Sequence, residues 1–437
     1  MEETALLVGT IMIVGMFGLM AIGVSVSVAI GLPSAISMMI LMGPRLGIDD
    51  SAQQIYTGLD SYPLLAIPLF VLAGAIMNQG GIARRLIDLA KALTGTMPGG
   101  LAQTSIVANA LFGSISGSSL AGASAVGAIM SPAQKKAGYD MRWAAAANIS
   151  AAPSGMLIPP SNTLIVYGLV SQASIGALFL AGYIPGLLWM LTCMVVIFFY
   201  ARKRPELRGA GFPPFVEGLK IFLKAIPSLG LIIIVIGGIV GGIFTPTEGA
   251  AIAVVYALVL SMIYREVTVK DFPKLLLNAT RTSSVVVFLI ALSSIMSFAM
   301  TYADIPFLLG EWLVSITDSK VVFLLIMMVV LLIVGIPLDA TPAILIFTPI
   351  FLPIAVQQYD IDPVHFGIMI TFNMCIAVIS PPSAPVLFVG ARVAGQKVED
   401  VFKPMLPFFG ALIAMLLLIQ FVPDLSLFLP RLAGLVP

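Results

Sequence analysis

Two segments, Ile158-Pro159-Pro160-Ser161 and Ser380-Pro381-Pro382-Ser383, decide how this chain folds. Each lies inside a long apolar run, at about 143–172 and 366–391. Proline has no amide hydrogen and its ring clashes with the preceding turn, so two in succession unwind a helix. The freed carbonyls then need protein, water or a cation as partners, because irregular backbone cannot face lipid. A packed proline kink would account for one such site. Two at matching places, each followed by serine, point to a break built for function.

The match extends outward from the prolines. Gly138-Tyr139-Asp140 corresponds to Gln358-Tyr359-Asp360, and after a two-residue insertion one offset aligns the rest. Tyr167-Gly168 falls on Val389-Gly390, and Pro185 falls on Pro407. An internal repeat of this kind redefines the fold, and inverted repeats with interrupted helices are the usual build of secondary transporters.

Composition sets the solvent. The 437 residues are 59% apolar and 10% charged, with a mean hydropathy of +1.08, whereas soluble domains carry about a quarter charged residues. Apolar stretches of about 20 residues, enough to cross about 30 Å of hydrocarbon, recur throughout. The pattern predicts an all-α polytopic membrane protein rather than a barrel of short alternating strands. Crossings are expected at about 4–22, 23–43, 62–80, 143–172, 176–200, 226–243, 247–264, 282–301, 366–391 and 406–429. The first is read as a membrane helix, not a signal peptide. A net charge of +1 gives no reason to expect a nucleic-acid partner. Cys193 and Cys375 sit in apolar runs and read as buried free thiols.

Two further apolar segments, about 98–134 and 321–356, are long enough to dip into the membrane and return. Taking both as re-entrant helical hairpins, with the N-terminus outside, puts all but Arg45, Lys320 and Arg431 of the 22 Lys and Arg on one side. That asymmetry marks the cytoplasm. The first hairpin, flanked by Lys91 and Lys135-Lys136, then enters from inside. The second, flanked by Asp318-Lys320 and Gln357-Asp360, enters from outside. The expected organisation is a first inverted repeat over 1–204, a cytoplasmic linker or amphipathic arm over 205–225, and a second repeat over 226–437, with both termini periplasmic.

The hairpin tips bring chemistry to mid-membrane. One reads Gly113-Ser114-Ile115-Ser116-Gly117-Ser118-Ser119, the other Gly335-Ile336-Pro337-Leu338-Asp339-Ala340-Thr341-Pro342. Carbonyls and hydroxyls at such turns suit a small hard cation, and helix N-termini favour an anion. Close helix packing through small residues is the plainer explanation of the Ser/Gly tract. Asp339 is the one acidic residue placed deep in the membrane, where an unpaired charge costs several kcal/mol. It could hold a cation, grip substrate hydroxyls, or cap the half-helix from Thr341. His365, the sole histidine, reads as an interfacial residue.

At these residues the chain resembles the large membrane subunit of the tripartite ATP-independent periplasmic (TRAP) transporters, within the ion-transporter superfamily. The most specific segments are Gly242-Ile243-Phe244-Thr245-Pro246-Thr247-Glu248, the Ser-rich first tip, Ile158-Pro159-Pro160-Ser161 and Gly335-Ile336-Pro337-Leu338-Asp339. The resemblance implies a sodium-driven elevator, with a fixed scaffold and a sliding transport domain, in the bacterial inner membrane. It also implies a separate small four-helix membrane subunit and a soluble periplasmic binding protein that delivers an organic acid. One sodium site would use Ser116, Ser118 and backbone at Gly155, Ile158 and Pro160. A second would lie near Gly335, Asp339, Thr341, Ala377, Ser380 and Pro382, so two or more sodium ions are expected. Substrate would touch Ser118, Ser161, Asn162, Thr163 and Asp339. Ala377 stands where the first half has Gly155, so the two ion sites need not share a geometry. Overall likeness points to the sialic-acid branch, with other sugar acids and C4-dicarboxylates left open. The rivals are a self-sufficient sodium/dicarboxylate symporter of the same superfamily, an intramembrane protease and a channel. A protease would want a second deep aspartate or a base beside Ser116, and a channel would want a continuous pore ring. No enzymatic role is expected.

Overall fold

The computed structural model describes residues 2–207, 211, 214–317, 319–381 and 384–437. These residues are helical almost throughout, and eight of the helices are long and apolar enough to cross a membrane by length and composition. The chain is a multi-pass membrane protein. Lipid explains the preference, because a helix satisfies its own backbone while a sheet edge cannot.

One order of elements occurs twice. In the first half a spanning helix (Ala66–Gln79) leads to a short amphipathic helix (Ile82–Thr94), then a hairpin (Gly100–Ser116 and Ser119–Lys136). A broken helix (Met141–Ala151 and Ser154–Leu157, then Asn162–Ser171) and a long helix (Ile175–Arg202) follow. The second half repeats it: Phe272–Tyr302, Ile305–Ile316, the hairpin Lys320–Gly335 and Ala340–Tyr359, the broken helix Pro363–Ala377 and Pro385–Val393, and Val398–Phe421. The short amphipathic helices, and a further one at Pro44–Leu59, were not expected from the sequence. They are too short and too charged to register as spans. In Ile82–Thr94, Leu86, Ile87 and Ala90 are buried, while Arg84 and Lys91 face out.

The two hairpins run in from opposite ends. The first broken helix starts at the base of the first hairpin, just after Lys136, and its middle lies against that hairpin's tip. Its second half then runs beside Ala340–Tyr359 toward the base of the second hairpin, where Tyr167 Oη donates to the Pro363 carbonyl. The reciprocal pairing, Ser119–Lys136 along Pro385–Val393, is also present.

Glycine makes both tip contacts possible, at positions separated by the same offset. A Cβ on Gly113 would lie 2.4 Å from Gly155 Cα, and a Cβ on Gly335 would lie 2.6 Å from Ala377 Cβ. Gly117 ends the first arm with φ +60°, a conformation that suits a residue without a Cβ. The long helices Ile175–Arg202 and Val398–Phe421 pack on this core, and the other helices form a frame in which Ala66–Gln79 packs on Pro246–Ile263 and Phe272–Tyr302. The Gly242–Glu248 motif is a corner of that frame. Thr245 and Glu248 form a capping box, and Thr247 Oγ1 donates to the Tyr62 carbonyl at 3.0 Å.

Three expectations change. The helix expected from 226 begins at Phe215, so much of the proposed 205–225 linker is already part of it; 208–210, 212 and 213 lie outside the described residues, as does Asp318. The last crossing ends at Phe421, and a separate helix, Asp424–Leu432, follows. That helix folds over His365, which is buried rather than interfacial, with Nδ1 3.2 Å from Ser426 Oγ. Cys193 and Cys375 are buried free thiols, as expected.

Two outcomes follow from this packing. Gly113→Ala should lower the melting temperature, since overpacking costs about 1–3 kcal/mol. Gly410→Ala, in a helix with open space around it, should leave melting unchanged or raise it. Cysteines introduced at the exposed Lys135 and Gln358 should react with impermeant reagents from opposite membrane faces. Reaction of both from one face would contradict the opposed hairpins.

Candidate substrate and cation site

Both tips open on one cavity of about 320 Å³, and Ser116, Ser118, Asn162, Thr163, Asp339 and Thr341 all line it. Three half-helices begin at its wall: Ser119–Lys136, Asn162–Ser171 and Ala340–Tyr359. The residue before each is a cap. Ser118 Oγ accepts from Ala121 N at 3.3 Å, Ser161 Oγ from Leu164 N at 3.3 Å, and Asp339 Oδ1 from Ala340 N at 2.9 Å. Unwinding places three N-termini, with their free N–H groups and positive dipole ends, around one space. The opposite wall belongs to the frame and carries Gly74, Asn78, Asn278 and Thr282.

Of the first expected cation set, Gly155 and Pro160 meet the hairpin tip that carries Ser116 and Ser118, while Ile158 lies against Gly186. Ser116 Oγ is buried and has no hydrogen-bond partner among the described residues. A Cβ on Gly117 would sit 3.2 Å from the Pro160 carbonyl oxygen and from Asn162 N, so this carbonyl meets the tip turn directly. No hydrogen bond reaches the carbonyls of Ile158, Pro159 or Pro160 among the described residues. Gly155 supplies the close approach to Gly113 described above. An orphaned buried hydroxyl beside unpaired carbonyls is the donor set a sodium ion takes.

The second set is less open. The Gly335 carbonyl already accepts from Leu338 N, and the Ala377 carbonyl from Ser380 N. Ser380 Oγ donates to the Ile376 carbonyl at 2.7 Å. Gly335 is buried against Ala377 and Met374, away from the cavity, and Pro382 lies outside the described residues. Thr341 and Asp339 remain on the cavity wall. Asp339 is exposed there rather than sealed in apolar packing, and Oδ2 takes no hydrogen bond among the described residues.

Ser161 does not fit the substrate role expected of it. It is fully buried, donates to the Met156 carbonyl and caps the half-helix, and it does not line the cavity. Asn78, Asn278 and Thr282 were missed. Asn278 and Thr282 are polar residues one turn apart at the start of an apolar helix, a periodicity that could have flagged them. Also missed was a buried amide pair that fixes the first hairpin. Asn109 Nδ2 donates to Asn148 Oδ1 at 2.8 Å, and Asn148 Nδ2 donates to the Ala123 carbonyl at 2.9 Å. Both hairpin arms are thereby tied to the broken helix.

Residues 13–425 match the family described as the tripartite ATP-independent periplasmic transporter, DctM component. The chain belongs to this family. It is 50% identical to the uncharacterized protein YgiK of Salmonella typhimurium, over 97% of each chain. Identity is 38% with the 2,3-diketo-L-gulonate TRAP transporter large permease protein YiaN of Escherichia coli (91% of this chain, 95% of the relative). With the sialic acid TRAP transporter large permease protein SiaM of Vibrio cholerae it is 35% (96% and 98%). The solved structure of the Alcanivorax borkumensis YdaH transporter shares the fold at a TM-score of 0.64 and 16% identity, over 90% of each chain. As a TRAP transporter component, the chain is a permease and not an enzyme.

Ser161→Ala should lower stability by about 0.5–2 kcal/mol, the loss of an N-cap, and leave ligand affinities unchanged. Asn148→Ala strands Asn109 and a carbonyl and should cost about 1–3 kcal/mol. Thermal melting in detergent measures both.

Proposed function

We propose that this TRAP large permease takes up an organic acid with sodium by an elevator movement across the inner membrane. The observation that carries this reading is the convergence of three half-helix N-termini on one cavity. Among the described residues no Lys or Arg lines that cavity, and Asp339 does. An anionic substrate beside a carboxylate needs compensation, which the helix ends supply in part. Sodium held by Ser116, Ser118 and the carbonyls of Gly155, Ile158 and Pro160 supplies the rest, and ion and substrate then bind better together than apart. A second ion would sit near Asp339 and Thr341 on the cavity wall, because the oxygens of Gly335, Ala377 and Ser380 described above are already hydrogen-bonded.

Substrate lies across Ser118, Asn162 and Thr163, with Asp339 accepting a substrate hydroxyl. The tips and broken helices move as a unit against the frame, whose Asn78, Asn278 and Thr282 form the inner wall. Basic loops flank the end reached by Asn278, so the cavity of this arrangement faces the cytoplasm and both termini are periplasmic. A small four-helix membrane subunit extends the frame, and a periplasmic binding protein delivers the acid. A sugar acid, sialic acid included, is favoured over a C4-dicarboxylate because Asp339 suits a hydroxyl donor.

Sodium should raise the melting temperature of the purified chain, and Ser116→Ala should move the half-maximal sodium concentration upward. Asp339→Asn should keep sodium-dependent stabilisation and weaken substrate about ten- to a hundredfold, the loss of a charge-assisted hydrogen bond. Uptake that follows a proton gradient without sodium would contradict the coupling. Uptake by this chain alone in liposomes would instead favour a self-sufficient symporter.

A further inference from the structure

A second cavity, of about 380 Å³, lies in line with the first on the side away from the basic loops. One helical turn separates them on each of three helices. Val166 lines the inner cavity and Leu169 the outer; Val286 the inner and Ile290 the outer; Thr341 the inner and Leu345 the outer. The partition is thus mostly apolar and about 5 Å thick, the rise of one turn. Beyond it the frame presents Gln54, Thr57, Ser293, Ser294, Ser297 and Thr301 to the outer chamber, facing Leu169 and Leu345 on the broken helix and hairpin.

Three hydroxyls of this wall are set to accept hydrogen bonds. Thr57 Oγ1 spends its proton on the Gln53 carbonyl at 2.9 Å, Ser294 Oγ on Ile290 at 3.0 Å, and Thr301 Oγ1 on Ser297 at 2.8 Å. What remains on each is lone pairs. Ser293 Oγ is buried, lines the chamber and has no partner among the described residues. No Lys, Arg, Asp or Glu lines the chamber among the described residues. A carboxylate would meet no cation here, whereas a ligand hydroxyl can donate to these lone pairs and accept from Ser293. The volume suits a small organic molecule rather than a bare ion.

We infer that the outer chamber is a second substrate subsite, built by the frame, that recognises the hydroxyl groups of a polyhydroxylated acid before the tips carry it inward. The inference rests on the uptake function proposed above. It makes Ser293 and Thr301 specificity residues, and Val286 and Ile290 the fixed partition past which substrate is moved.

The test uses the assembled transporter in sealed vesicles, with gluconate and N-acetylneuraminate as hydroxylated probes and succinate as a probe without hydroxyls. For a hydroxylated acid taken up by wild type, Ser293→Ala and Thr301→Val should each raise the half-saturating concentration about five- to fiftyfold. The half-activating sodium concentration should not change. Ser297→Cys should react with an impermeant thiol reagent from the outer face, without interference from the two buried native cysteines. Unchanged half-saturation in both variants, wild-type uptake of succinate alone, or an unreactive Ser297→Cys would each overturn the subsite. Absence of any sodium-driven uptake by wild type would instead overturn the uptake function, leaving thiol accessibility to decide the chamber.

Discussion

Backbone without water is the constraint on which the rest of this structure depends. A helix broken in a membrane exposes carbonyls and amides that lipid cannot satisfy. Here the break at Pro159-Pro160 is shielded by protein on every side the contacts describe. Gly182 lets the Leu157 carbonyl approach, Gly186 makes room for Ile158, and the tip turn at Gly117 abuts the Pro160 carbonyl. Of the polar groups left over, the Pro160 carbonyl meets the tip turn next to the orphaned Ser116 hydroxyl. A cation or an anion is the natural partner for them, so the cost of breaking the helix and the means of binding a ligand have one origin.

That origin also explains why the hairpins and broken helices read as one body. Asn109 and Asn148 bind both arms of the first hairpin to the broken helix. The Trp189 indole donates to the Ser150 carbonyl at 2.8 Å and packs edge-on against Phe372 of the other half. At the boundary with the frame, Gly74 lies directly against the Ser116 backbone. Polar ties of this kind would keep the body together during the elevator movement proposed above.

Much of this was legible in the sequence because proline and glycine act locally. The paired prolines, the hairpin lengths and the charge asymmetry place the breaks and tips without knowledge of any tertiary contact. Legibility ended where partners are remote. Ser161 carries the same hydroxyl as Ser118, and only the fold shows that it is consumed by Met156 and a helix cap while Ser118 meets the cavity. The His365 environment depends on a helix some 60 residues later, and the frame's contribution to the cavity depends on Asn78 and Asn278 meeting across the molecule. The short amphipathic helices escaped a search for spans of membrane length.

The two halves match at their tip contacts and differ in chemistry, and the inequality has a direction. Gly113 meets Gly155 while Gly335 meets Ala377, at the same offset in both halves. The extra methyl fills the second junction, where the nearby carbonyls already take backbone hydrogen bonds. The first junction keeps an orphaned serine hydroxyl instead. On the other tip, the position that follows Gly335 by four residues carries a carboxylate, while the corresponding residue in the first half is Gly117. The first half therefore offers neutral oxygens suited to an ion, and the second offers one charge exposed to the cavity. On the uptake function proposed above, the two halves would thus divide the work of holding the first cation and selecting what travels with it.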